Sequence, residues 1–386
     1  MTRRLFGTLC GLVFCVNFGR VAFAPLLETF RTTFGAGTGA LGLVTTLVWV
    51  GTAVPRIPVG YLVTRVARGR IVLGAGVLLT AASALTAVTT SLPLLQVGAF
   101  AIGVASGAYY ASAVPLIGDL YPERVGQFVG IHGTAAQMAA VVAPTLAVAL
   151  VATVSWRAVF WLLTAIGATL TLALLLVARQ REGGVPHGAD RDFRAALAHW
   201  RIILAAVALI GGAGFVWQGV FNFYVTYLVT AKGLAPGPAG TLLTVAFVAG
   251  LPAFWLGGSL ADRLPRVPYI LALGTGVAAC VAVLTVVDSL LGLVAVSVAL
   301  GLVVHGLFPA LDAYVLGTIP DNRGSAYAVY GGLALFVQAM GSGTVGVLGE
   351  HYAFDAIFRG FAGGLFALVA LLAGLYLAGI FQTPAE

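Results

Sequence analysis

Charge is what this chain has least of. Asp, Glu, Lys and Arg make up only 9% of its 386 residues, against about 25% in ordinary soluble domains. Hydrophobic residues make up 60%, and the mean hydropathy is +1.03. A soluble enzyme of this length would need far more charge, so the chain reads as a polytopic membrane protein. Lysine is nearly absent: Lys232 stands alone and the other basic residues are arginine. The net charge of +7 is scattered over short loops between apolar runs, which excludes a nucleic-acid partner. Cys10, Cys15 and Cys280 lie inside apolar segments with neither disulfide nor zinc spacing. The five histidines are dispersed and no His-x-x-x-His pair occurs, so neither a metal nor a cofactor is expected. No Gly-x-x-x-x-Gly-Lys-Ser/Thr loop is present, so ATP does not drive the protein directly.

What is present is a succession of long apolar runs. They fall near 5–29, 39–63, 71–90, 93–119, 125–151 and 157–178, then near 201–230, 237–260, 268–287, 289–318, 324–348 and 354–380. Each reaches the roughly twenty residues that a spanning helix needs in a bilayer. The expected organisation is a six-helix bundle over 1–178, a polar linker over 179–200 and a second six-helix bundle over 201–386. With the N-terminus inside, Lys and Arg concentrate on cytoplasmic segments. Only Arg31, Arg157, Lys232 and Arg359 fall outside, and Arg20 and Arg56 lie within spans. The positive-inside bias predicts a cell-membrane protein with both termini cytoplasmic.

The two halves repeat. Gly60, Leu62, Arg65 and Arg68 align with Gly258, Leu260, Arg263 and Arg266 at an offset of 198 residues. At the same offset Pro122 meets Pro320, Gly126 meets Gly324 and Phe160 meets Phe358. An even number of spans per half makes this a parallel repeat, an arrangement that places a solute site between the halves.

These residues also carry a family resemblance. Gly258-Ser-Leu-Ala-Asp262-Arg263-x-x-Arg266 resembles the loop signature of the major facilitator superfamily. Pro122-Glu-Arg124-x-Gly126 and Trp156-Arg157-x-x-Phe160 are also typical of it. The resemblance implies an all-α fold of twelve transmembrane helices in two pseudo-symmetric bundles, working by alternating access. It implies a cytoplasmic gate built from Arg65, Arg68, Asp262, Arg263 and Arg266. Thr64 stands where the first copy of the signature has an acid, and Asp119, at the inner end of helix 4, is the expected substitute latch.

Arg20 is the sharpest single feature. It lies about 22 Å along an apolar helix that crosses a hydrocarbon layer about 30 Å thick. A guanidinium keeps its charge there and costs at least a few kcal/mol. It must face a polar path, or else pair with backbone carbonyls or with an acid on another helix. The family layout places helices 1, 4, 7 and 10 around the cavity. Asn17 and Arg20 share a face of helix 1, and Gln218 and Asn222 share a face of helix 7. Tyr109 and Tyr110 on helix 4 compete for one inward position. His305 and Asp312 on helix 10 are candidates for a coupling proton, since histidine titrates near neutrality and a buried aspartate can be raised toward it.

Arg56, two turns from the inner end of helix 2, can snorkel to the cytoplasm or bind solute. Its Arg-Ile-Pro-x-Gly run, with Val16-Asn17-Phe18 and Phe23-Ala24-Pro25, is similar to the nitrate/nitrite porter branch. That branch has a second arginine where the repeat here places Phe254. The Asn17-x-x-Arg20 pattern resembles organic-anion symporters. The expected function is therefore secondary transport of a small inorganic or organic anion across the lipid bilayer by a monomer, coupled to a proton or to an exchanged anion. A multidrug or small-metabolite efflux antiporter and a non-transporting receptor of the same fold are the alternatives.

Overall fold

A computed structural model describes residues 2–63, 65–178, 200–261, 263–318 and 323–379. The described residues contain twelve helices long and apolar enough to cross a membrane. The chain divides into two compact units, Met1–Ala189 and Asp190–Glu386. The expected linker lies almost wholly outside the described residues, as do Thr64 and Asp262.

The first unit holds α1 (Thr2–Val21), α2 (Phe23–Phe34), α3 (Thr38–Ala53), α4 (Arg56–Leu62), α5 (Arg68–Val88), α6 (Leu92–Leu120), α7 (Val125–Thr153) and α8 (Trp156–Ala178), with a 3-10 turn over Pro122–Arg124. Two expected spans are each broken in two, and proline is the cause. Pro25 cannot donate to the Val21 carbonyl, so α1 hands over to α2 at Ala22. Pro55 and Pro58 likewise leave the Gly51 and Val54 carbonyls without helical donors. The second span is interrupted there, and Arg56 becomes the first residue of a new helix.

The second unit holds α9 (Trp200–Thr230), α10 (Pro236–Ala261), α11 (Arg266–Leu284), α12 (Leu290–Thr318), α13 (Arg323–Leu348) and α14 (Phe354–Leu377). Helix pairing follows the repeat. In the first unit α3 packs on α6, α1 on α7, and α5 on both α6 and α8; in the second, α10 packs on α12, α9 on α13, and α11 on both α12 and α14.

Two glycines show how closely the repeat is kept. A Cβ on Gly103 would stand 2.2 Å from the Val48 carbonyl oxygen, and one on Gly301 would stand 2.1 Å from that of Ala246. Both pairs are related by the 198-residue offset. Small residues permit this backbone approach, which is how membrane helices pack without a hydrophobic driving force between them.

The ends of the bundles that carry Thr89 and Thr285 are tied by polar contacts. Arg157 donates to the Thr89 carbonyl at 2.9 Å in the first unit. In the second, Tyr227 donates to Asp355, the repeat counterpart of Arg157, at 2.6 Å, and Lys232 pairs with Asp288 at 2.7 Å.

Candidate functional site

The centre of the first unit is built on Arg20. It sits in the last turn of α1 and is only 8% exposed. Its Nη2 donates to Asn17 Oδ1, one turn back on the same face, and to Tyr110 Oη at 3.3 Å. The guanidinium carbon lies 4.8 Å from the ring centre of Trp49 on α3 and 4.9 Å from that of Tyr110 on α6. Two aromatic faces thus take the place of water around the cation, a favourable but partial substitute.

Asn17, 6% exposed, turns its Nδ2 to the Ala136 carbonyl of α7 at 2.5 Å. Its carboxamide is therefore oriented, with the oxygen toward Arg20 and the nitrogen toward α7.

Among the described residues Arg20 has no ion-pair partner. The ion pairs among the described residues are Arg31–Glu28, Arg68–Asp119 and Lys232–Asp288; none involves Arg20. Arg56, at the start of α4, adds its positive charge to the field at Arg20. Several donors are also unused: Arg20 Nε, Trp49 Nε1 and Gln137 Nε2 are buried without a hydrogen-bond partner, as is the Thr46 hydroxyl one turn from Trp49. Buried polar groups are ordinarily paired, and each unpaired one calls for an explanation. The unused Nε–H of Arg20 and indole N–H of Trp49, at a cation with no ion-pair partner among the described residues, are the complement of an anion.

The structure separates the two tyrosines. Tyr110 lies on Arg20, whereas Tyr109, fully buried, donates to the Leu9 carbonyl at 2.6 Å and meets His132 Nε2 of α7 at 3.0 Å. Trp49 and His132 did not stand out in the sequence. Each sits in an apolar run and acquires a role only through a neighbour on another helix.

In the second unit Gln218 and Asn222 are both buried and bond one another. Asn222 Nδ2 donates to the Gln218 carbonyl at 2.9 Å and to its Oε1 at 3.1 Å, while Asn222 Oδ1 stays unpaired. His305 bonds the Gly301 carbonyl through Nδ1 at 2.9 Å and packs between Trp217 and Phe247. The side chains of Asp312 and Phe254 lie outside the described residues.

At the inner end of the first unit Arg68, opening α5, pairs with Asp119 at the end of α6 and donates to the Pro115 carbonyl at 3.2 Å. Arg65 instead stacks its guanidinium over Tyr61 at 4.4 Å. Arg263 and Arg266 are exposed at the turn between α10 and α11.

Twelve spans, a repeated helix pairing and this gate-like turn define a class of polytopic membrane transporter. The chain belongs to the Major Facilitator Superfamily, whose model matches residues 9–291 and 215–385. Among individual proteins it is similar to the probable sulfoacetate transporter SauU of Cupriavidus necator, with 24% identity over 278 residues and 67% of this chain aligned. The chain spans 65% of the length of that curated relative. Its fold is similar to that of a bacterial homologue of the human lysosomal transporter Spinster. The inward-facing, unoccupied form matches with a TM-score of 0.73 at 16% identity, covering 100% of this chain and 99% of the other. The inward-facing, occupied form matches at 0.69 and 18%, covering 98% of each.

Proposed function

We propose that this protein is a secondary active transporter that carries a small anion across a cell membrane by alternating access. The observation that carries this reading is Arg20: a guanidinium inside a membrane span, 8% exposed, without an ion-pair partner among the described residues and with an unused N–H. The anion supplies the missing charge. Asn17 orients Arg20, Tyr110 and Trp49 flank it, and Arg56 adds a second positive charge that favours a doubly charged or polyoxygenated ligand such as a carboxylate-sulfonate. The relative that carries the word sulfoacetate in its name supports that class.

Gln218 and Asn222 contribute neutral hydrogen-bonding groups in the second unit, and Tyr109 acts from behind the site through α1 and α7. His305 and Asp312 are the second unit's groups for a coupling proton; exchange against a second anion is the other source of drive. The Arg68–Asp119 pair latches the cytoplasmic side, with Arg65, Asp262, Arg263 and Arg266 in the corresponding turns. The protein works as a monomer with both termini in the cytoplasm, as the arginine distribution supports.

Proteoliposomes challenged with sulfoacetate, acetate, nitrate and a cationic dye test the reading through transient currents. An anion-evoked current that disappears in Arg20→Gln is the expected result. A response confined to the cationic dye would overturn it.

A further inference from the structure

The pair formed by Tyr109 and His132 is not used by the anion site, yet it lies directly behind it. His132 is 2% exposed, inside the bundle of the first unit. Tyr109 has one hydroxyl proton, and the Leu9 carbonyl at 2.6 Å can only accept it. The Tyr109 oxygen must therefore accept from His132, which fixes the neutral imidazole's proton on Nε2. Nδ1 is then a lone-pair nitrogen, and among the described residues nothing bonds it. A histidine serving only to tie helices together would use both nitrogens or turn the free one to water.

We infer that His132 Nδ1 is the binding site of a proton that travels with the anion, a site separate from His305 and Asp312. This inference rests on the anion reading of Arg20. The link between the two is short: Arg20 bonds Asn17, Asn17 bonds the Ala136 carbonyl, and Ala136 is one helical turn from His132 on α7. The ionisable groups around the pair are Tyr109 and Tyr110 from α6 and Cys10 and Cys15 from α1. A protonated His132 is repelled by the positive charge of Arg20, to which α7 is tied through Asn17 and Ala136. An anion on Arg20 cancels that repulsion, so anion and proton each strengthen the binding of the other, and by linkage the effect is reciprocal. The proton comes from the aqueous phase, becomes Nδ1–H and leaves by the same nitrogen when the anion departs.

The test uses the purified full-length protein with sulfoacetate as probe, its affinity measured from about pH 5 to about pH 9, around the range in which histidine titrates. In the native protein affinity is expected to weaken as pH rises, by up to about tenfold per pH unit between the pKa values of His132 without and with the anion, with up to one proton taken up per anion bound. His132→Gln keeps a donor for Tyr109 but cannot titrate, so its pH slope and its proton uptake per anion are each expected to fall below the native values by the His132 contribution. His132→Asn is the second variant should the first not accumulate in the membrane, with the same expectation. Native affinity independent of pH, or an undiminished pH slope in either variant, overturns the proton site while leaving the anion site standing. A native protein that binds no anionic probe overturns the anion reading and the proton site with it.

Discussion

At the 198-residue offset Arg20 of the first unit corresponds to Gln218 of the second, Trp49 to Phe247 and Tyr110 to Phe308. Each exchange removes a charge or a donor while keeping much of the volume. Packing is conserved where chemistry is not, as the matched approaches of Gly103 and Gly301 show. One position even reverses its sizes. In the first unit a Cβ on Gly107 would meet the Thr52 carbonyl oxygen at 2.3 Å; in the second, the counterpart of Thr52 is Gly250, whose Cβ would meet the ring of His305, the counterpart of Gly107, at 2.6 Å. The lesson is that a duplicated bundle holds its backbone contacts fixed and differentiates through the side chains facing its polar interior. The buried guanidinium lies in the first unit, and buried amide and aromatic groups lie in the second.

The largest break in this comparison comes from giving the first unit the chemistry of the second. Arg20→Gln removes a buried cation from its ligand, a change that typically costs about 2–5 kcal/mol. Sulfoacetate affinity measured by calorimetry should fall at least about 30-fold, with the melting temperature of the unliganded protein held or raised because an uncompensated charge has gone. Packing symmetry is tested next. Gly103→Ala and Gly301→Ala should each destabilise the protein in detergent by about 1–3 kcal/mol, and by similar amounts, since each forces a methyl against a backbone oxygen. A loss at one site only would show that the repeat is not mechanical. Trp49→Phe, which installs the residue of the second unit, keeps a ring beside Arg20 but removes the indole N–H. Affinity should weaken by about 0.5–2 kcal/mol, read as a 2- to 30-fold rise in Kd. The smallest effect belongs to Asp119→Asn. Its pair with Arg68 is half exposed on the acid's side, so stability should change by under about 1 kcal/mol in thermal unfolding.

Much of the fold was legible because membrane physics writes it into composition. An apolar run of about twenty residues has few alternatives to a spanning helix, and the repeat offset is visible in the loops. Legibility ended where one helix meets another. The sequence placed Asp119 near Arg65 and Arg68, but only the packing of α5 on α6 selected Arg68 and left Arg65 on Tyr61. Tyr109 and Tyr110, adjacent in the chain, point 100° apart on a helix, so one had to leave the site; the structure sent Tyr109 to His132.

The sequence by itself determined the twelve spans, the duplication and the presence of an arginine deep in an apolar span. Those follow from hydropathy and from the cost of a buried charge, both of which are local. Which groups surround Arg20, that no ion-pair partner reaches it among the described residues, and that His132 lies one turn from Ala136, to which Asn17 bonds, were decided only by tertiary structure. They depend on how α1, α3, α6 and α7 rotate about their axes, and that rotation is set by close packing between helices rather than by any one segment.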